Sequence, residues 1–376
     1  MNRIFLTLLI VSLFFSCRKK KCDQDPLPNL ETIENNKGKW VDISPKNAGR
    51  HMPTEASFLN ENEGYVLSQY HDSLDNIYDV VIRTLNGGMT WTEHRLPPNP
   101  GSFKHIFAVN DSVLFAGSDR GQYKSNDKGV SWTFIAPYDA GGYAYGIYFI
   151  NQNLGFAVRG EVKKTDAGGY TWQESSYLPS TSEVDNGNWC WELRFVTNNV
   201  GFAFGGNYLF HPPTEPGGSV NFGSLIKTND QGKSWTKISG KNMFGYIYDL
   251  SMVNERLGYM LAFPYAPPSD NLSVQLLRTV DGGFTWELVR DNSQFSNIYF
   301  WNQNEGISLG ISIDNSIYYT SNGGKTWVKE YEGQKFNDPG VSISWNLTAK
   351  GRAVFALSSY GSSEEPHTTK ILKRTF

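Results

Sequence analysis

Thr279-Val280-Asp281-Gly282-Gly283-Phe284-Thr285-Trp286 is one of six nearly complete copies of a single phrase along the chain. The phrase runs hydroxyl, any residue, Asp or Asn, any residue, Gly, any residue, Thr or Ser, Trp. Its other copies begin at Thr84, Ser125, Thr165, Thr228 and Thr320, and a degraded seventh reads Asn36-Lys37-Gly38-Lys39-Trp40. They recur at intervals of about 40 to 60 residues. Self-similarity on that scale marks a repeat architecture, because each unit buries its faces only against its neighbours.

The phrase has the chemistry of a hairpin turn. Asn86, Asp127, Asp230, Asp281 and Asn322 hold the third position, where a short polar side chain can bond turn amides. Gly at the fifth position supplies positive φ without steric cost. The Trp opens the return strand, where a large flat ring can wedge between sheets. Six equivalent copies read as scaffolding rather than as six catalytic or metal sites. The third copy has Ala167 where the carboxylate belongs and Asp166 one place early, so an altered or weaker turn is expected there.

A second period runs between these turns. An apolar strand, a polar turn such as Asn151-Gln152-Asn153 or Asn302-Gln303-Asn304, and a Gly-aromatic strand such as Gly155-Phe156-Ala157-Val158 precede the boxes. Each repeat therefore reads as strand a, turn, strand b, longer loop, strand c, box hairpin, strand d. Four short strands repeated seven times predict an all-β chain, a seven-bladed β-propeller of four-stranded antiparallel blades. Ile371 to Thr375 reads as a strand c, and Trp40 to Ser44 as a strand d without its partners. Together they complete one blade, so the N-terminal strand joins the C-terminal blade and closes the ring.

Residues 1–16 read as a signal peptide, with Arg3 ahead of an apolar run from Ile4 to Phe15 that is too short for a permanent span. Leu13-Phe14-Phe15-Ser16-Cys17 resembles a bacterial lipobox, which implies cleavage before Cys17 and lipid on its thiol. The alternative is an ordinary signal peptide cut elsewhere. Residues 17–36, with the basic run Arg18-Lys19-Lys20-Lys21, read as a flexible lipidated tether, and residues 37–376 as the propeller. The expected location is the bacterial cell envelope, periplasmic or cell-surface. A net charge of −3 offers no electrostatic case for nucleic acid. Cys22 and Cys190 do not make a disulfide framework, and six scattered histidines show no ligand spacing. No metal or cofactor is expected, and a monomer is.

In a propeller the b–c and d–a loops share one face, and insertions at residues 68–79, 174–189, 206–222, 264–270 and 360–367 all fall there. Long loops on a rigid scaffold are where binding resides. In and beside its insertions blade 4 carries Trp189, Trp191, Tyr208, Phe210, His211 and Phe222, suited to a sugar face or a protein surface, or to packing the insertions down. Glu192 and Arg194, Asp249 and Ser251, and Asn297 and Tyr299 occupy matching places on strands a, opposite Leu193, Leu250 and Ile298. These polar groups can bind a ligand at the channel mouth, solvate the channel, or form a Glu–Arg pair that fixes the inner strands.

The phrases resemble Asp-box (BNR) repeats over nearly the whole mature chain. Sialidases share the box, but their early Arg-Ile-Pro signature and arginine triad have no counterpart here. Arg83 and Arg278 are strand c residues ahead of boxes. Xyloglucanase-type glycoside hydrolases set two carboxylates across a cleft between two propellers, and this chain has one. Photosystem II stability/assembly factor-like proteins are single seven-bladed propellers with Gly-Gly-x-Thr-Trp boxes, and the chain is most similar to these. That resemblance implies a non-enzymatic binder of an envelope protein or glycan, attached to a membrane through its N-terminal lipid. The alternative is a glycosidase using Glu192, Asp249 or the nearby Glu183 and Asp185.

Overall fold

A computed structural model describes residues 38–74, 76–98, 102–137, 146–175, 190–206, 223–238, 245–263, 274–310, 316–333, 342–361 and 368–376. They form seven four-stranded antiparallel sheets arranged as the blades of a ring, a β-propeller. Among the described residues the only helical turn is the three-residue 3-10 segment Ala48–Arg50. Blade 1 runs a His51–Phe58, b Gly64–His71, c Ile77–Thr84 and d Thr92–Arg95. Blades 2 to 6 repeat that order. Blade 7 takes a, b and c from Ser342–Lys350, Ala353–Gly361 and Thr368–Thr375, and its strand d from Trp40–Asp42. Trp40 pairs with Arg374 and Asp42 with Leu372, so the ring closes between the two ends of the described chain.

The box hairpins are built from side chains. Thr84 Oγ1 accepts the amide of Gly88 at 2.8 Å, and Asn86 Oδ1 accepts that of Thr90 at 2.9 Å. The same pair of bonds recurs with Asp127, Asp230, Asp281 and Asn322. At Ala167 only the carboxylate's bonds are lost. Thr165 Oγ1 still accepts Gly169 N at 3.0 Å, and Gly168 and Gly169 keep φ values of +63° and +88°. The turn is thus less braced but not reshaped.

These turns aim the tryptophans. Apolar side chains fall into seven clusters, one for each pair of adjacent blades, and every cluster holds one box Trp from the following blade. Trp91 lies between blades 7 and 1, Trp132 between 1 and 2, and Trp172 between 2 and 3. Trp235, Trp286 and Trp327 follow at the next three seams, and Trp40 fills the seam between 6 and 7. The rings meet strand aromatics edge to face, as with Trp235 on Phe156 (6.2 Å, 80°) and Trp172 on Phe149 (6.2 Å, 75°).

A second device crosses the same seams. An aromatic on strand b pairs with a basic residue on strand c, and the two choices are linked. Tyr65 and Tyr259 face Arg83 and Arg278, whereas Phe115, Phe156, Phe202 and Phe355 face Lys124, Lys164, Lys227 and Lys373. A donor from one member of several pairs reaches a carbonyl on the next blade. Tyr259 Oη donates to Gln303 O at 2.6 Å, and Tyr65 Oη to Asp111 O at 3.1 Å. In two of the pairs where Phe replaces Tyr the lysine does this, Lys373 Nζ to Glu61 O at 2.7 Å and Lys227 Nζ to Gly282 O at 3.1 Å.

One expectation needs correction. Residues 68–79 are not a loop. Strands b and c of blade 1 extend to His71 and from Ile77 around a turn in which Asp72 Oδ1 accepts the amides of Leu74 and Asn76. The other predicted insertions lie wholly or mostly outside the described residues.

Two outcomes follow for stability. Trp235 is almost fully buried, so Trp235→Ala should cost about 3–5 kcal/mol, read as a lowered urea midpoint. Gln231 holds φ +62° at a box position where Gly87, Gly168, Gly282 and Gly323 stand in four other blades. Gln231→Gly should therefore raise stability by about 0.5–1 kcal/mol, the relief of left-handed strain exceeding the entropy cost of glycine. A loss of stability would refute that account.

Candidate functional site: the channel mouth

Strand a is the innermost strand of each blade, and its apolar residues do not simply alternate. Pro53, Ala56 and Phe58 are spaced three then two, as are Phe103, Ile106 and Ala108, and Ile247, Leu250 and Met252. The same spacing recurs with Cys190, Leu193 and Phe195, and with Phe295, Ile298 and Phe300. The structure gives the reason. Five of the inner strands carry a β-bulge at the same register, so that the pairing with strand b skips Thr54, Lys104, Trp191, Tyr248 and Ser296. A bulge re-aims the side chain it releases.

Four of those released residues come together. Thr54, Lys104, Trp191 and Tyr248 line a cavity of about 710 Å³, joined by Glu55, His105, Glu192, Phe204, Tyr246, Ile247 and Asn346. The lining comes from blades 1, 2, 4, 5 and 7, so the cavity is the axial mouth of the ring. It opens on the face away from the box hairpins. The hairpins bond the a–b turns of their own blades, for example Gly87 N to Asn62 O and Gly282 N to Arg256 O, while the bulges sit at the far ends of strands a. Aromatic groups gather on one side, with Tyr246 against Tyr248 at 5.1 Å and Trp191 Nε1 fixed to Gly206 O. Charged groups gather on the other, with His105 Nδ1 3.3 Å from Glu55 Oε2 beside Lys104.

Below the mouth the polar residues of strands a stitch blades together. Glu55 Oε2 accepts the amide of Ile106 at 2.7 Å, and Ser57 Oγ that of Ala108 at 2.9 Å. Asp249 Oδ2 and Ser251 Oγ do the same for Ile298 (2.7 Å) and Phe300 (2.8 Å). These amides lie on the open edge of the next blade's inner strand, where an unmatched donor is costly. Arg194 completes the arrangement. Its Nη1 donates to Leu250 O at 2.7 Å, and its Nη2 lies 2.8 Å from Asp249 and 3.1 Å from Glu192. Burial pushes the Asp249 carboxyl up to about 6, against the pull of Arg194 and two backbone amides.

Of the residues singled out in the sequence, Trp191 and Glu192 line the cavity. Arg194 and Asp249 sit below it as the inter-blade clasp, and Trp189, Tyr208, His211, Glu183 and Asp185 lie outside the described residues, as does Cys17. The residue types of Thr54, Glu55, Lys104, His105, Tyr246, Tyr248 and Asn346 do not mark them out in the sequence, although the three-then-two spacing marks the bulges that expose several of them. Among the described residues no cluster of three His, Cys, Asp or Glu side chains is placed to hold a metal ion. Cys190 is fully buried, which pushes its thiol up to about 12 and makes it inert.

No family model matches the chain, and no curated protein matches it. Solved structures do. YCF48 from Cyanidioschyzon merolae superposes with a TM-score of 0.61 at 14% identity, covering 90% of this chain and 99% of that one. A YCF48 bound to a D1 peptide gives 0.58 at 13%, covering 89% and 96%. The GH74 xyloglucanase of Xanthomonas campestris gives 0.56 at 14%, covering 88% of this chain but 56% of its own. At such identities the likeness is one of fold, a propeller shared with binding proteins and with glycoside hydrolases.

Proposed function

We propose that the chain is a non-enzymatic binding propeller, lipid-anchored through Cys17 on the outer side of a bacterial membrane, that takes an envelope protein or glycan into its channel mouth. The observation that carries this reading is that the channel carboxylates are already engaged. Asp249 is 2% exposed and accepts from Arg194, Leu250 N and Ile298 N. Glu55 accepts from Ile106 N and faces His105, and Glu192 faces Arg194. What remains is a recess with an aromatic wall and a mixed-charge wall on rigid strands, which suits recognition. The peptide held by YCF48, a propeller of matching length, supports a protein ligand.

A glycosidase is the second reading, and it has its own observation. Glu192 and Asp249 both touch Arg194 Nη2, so their oxygens lie no more than about 6 Å apart, near the spacing of paired carboxylates in retaining enzymes. Against it, the guanidinium stands between them and Asp249 is closed to solute.

Two measurements separate the readings. Glycan and peptide arrays probed with the full chain should give binding without turnover, weakened about tenfold or more by Trp191→Ala. Turnover that disappears in Glu192→Gln would establish the hydrolase instead. Asp249→Asn should lower stability by about 2–4 kcal/mol, and a cycle with Arg194→Met should return a coupling of about 1–3 kcal/mol. Absent coupling would remove the clasp and return Asp249 to the list of catalytic candidates.

A further inference from the structure

The hairpin face, opposite the mouth, has a composition that its structural role does not require. The sixth box position of blades 1 to 6 is held by Met89, Val130, Tyr170, Lys233, Phe284 and Lys325, and in the shortened box of blade 7 Lys39 stands between Gly38 and Trp40. All seven are exposed. Four are large and apolar, three are lysine, and none is acidic. Leu85 and Val280, at the second box position, are also more than half exposed. Among the described residues, six of the twelve exposed large apolar side chains therefore stand on box hairpins. Isolated apolar side chains on a surface need no explanation. Equivalent positions on one rim, shared only between apolar groups and lysines, do.

Two further features bear on what covers this face. Tyr170 and Phe284 each have a lysine of the preceding blade over the ring, Lys124 at 5.9 Å and Lys227 at 5.6 Å. Apolar bodies flanked by ammonium groups are suited to the boundary between acyl chains and headgroups. Strand d of blade 7, Trp40–Asp42, also starts at this face. Gly38 N donates to Thr375 O at 2.9 Å, at the hairpin position of blade 7. The apolar arc through Met89, Val130 and Tyr170 starts on the adjoining blade, and the basic run Arg18-Lys19-Lys20-Lys21 precedes it in sequence.

We propose that the hairpin rim is a lipid-facing surface. It lays the propeller on an anionic bilayer, with Met89, Val130, Tyr170 and Phe284 at the acyl boundary and Lys39, Lys233 and Lys325 at the headgroups. The channel mouth then points away from the membrane, toward soluble or cell-wall ligands. The inference rests on the envelope location proposed above, but not on how the N-terminus is held or on what the mouth binds.

The test is orientation on vesicles of phosphatidylethanolamine and phosphatidylglycerol. The full chain, with Cys17→Ser and Cys22→Ser to remove both N-terminal thiols, carries one environment-sensitive label at a time, through Met89→Cys, Phe284→Cys or, on the mouth, Tyr248→Cys. Labels at 89 and 284 should be quenched by brominated lipid and shielded from aqueous iodide, with a lipid-to-iodide quenching ratio about fivefold or more above that at 248. Equal ratios at the three sites would overturn the proposal. Shielding from iodide without quenching by brominated lipid would overturn it too, and would assign the face to a second copy or a protein partner. Whether Cys17 carries lipid is read separately from the mass of the mature chain, so loss of the anchor and loss of the surface are distinguishable.

Discussion

Everything in this structure depends on a tryptophan reaching across a seam. A four-stranded blade has two faces and no core of its own, so it is stable only when both faces are covered. Seven seams receive seven box tryptophans, and the seventh, Trp40, arrives on the strand Trp40–Asp42, which pairs with Thr368–Thr375 across the closure of the ring. That requirement accounts for the conserved form of the phrase within this one chain. Hydroxyl, carboxylate or amide, and glycine together set the turn that holds the ring at one angle. Where Ala167 breaks the phrase, Thr165 keeps the turn and Trp172 still fills its seam.

The opposite problem arises at the axis. Each inner strand presents an open edge to the channel, and no sheet closes it. The chain answers with side chains from the preceding blade, a carboxylate and a serine two residues apart in Glu55/Ser57 and again in Asp249/Ser251. Acidic groups near the axis of a propeller therefore have a structural use before any catalytic one. Their burial and short hydrogen bonds resemble those of an active site because both tasks need a carboxylate fixed in a dry place.

Much of this was legible in the sequence, because it is local. The hairpin chemistry lies within eight residues, and the strand pattern and the closing strand follow from it. The Phe–Lys and Tyr–Arg couples were also present in the sequence, but the matched residues are 8 to 25 apart and gain meaning only once strands b and c are paired. The cavity was half visible. Trp191 and Glu192 stood out by residue type, whereas Lys104 and Tyr248 reach the mouth only because a bulge turns them there, and strict alternation conceals a bulge. The strand pattern puts Arg194 in the channel and offers Glu192, two residues away, as its partner. Its bonds to Leu250 and Asp249, on the next blade, depend on how two blades meet, which no local pattern records.

The two faces of the ring also carry different kinds of information. The hairpin face is periodic, and any affinity it has is a sum of similar weak terms spread around a rim, the form suited to a broad and featureless surface. The mouth is aperiodic. Its five bulges are equivalent in backbone, yet they release Thr54, Lys104, Trp191, Tyr248 and Ser296, five different side chains. A repeat that kept these positions for scaffolding alone would have no physical reason to vary them so widely, since none contributes to a seam cluster. Variation at equivalent points of a rigid frame is what builds one asymmetric site, and this is why selective recognition belongs to the mouth rather than to the boxes.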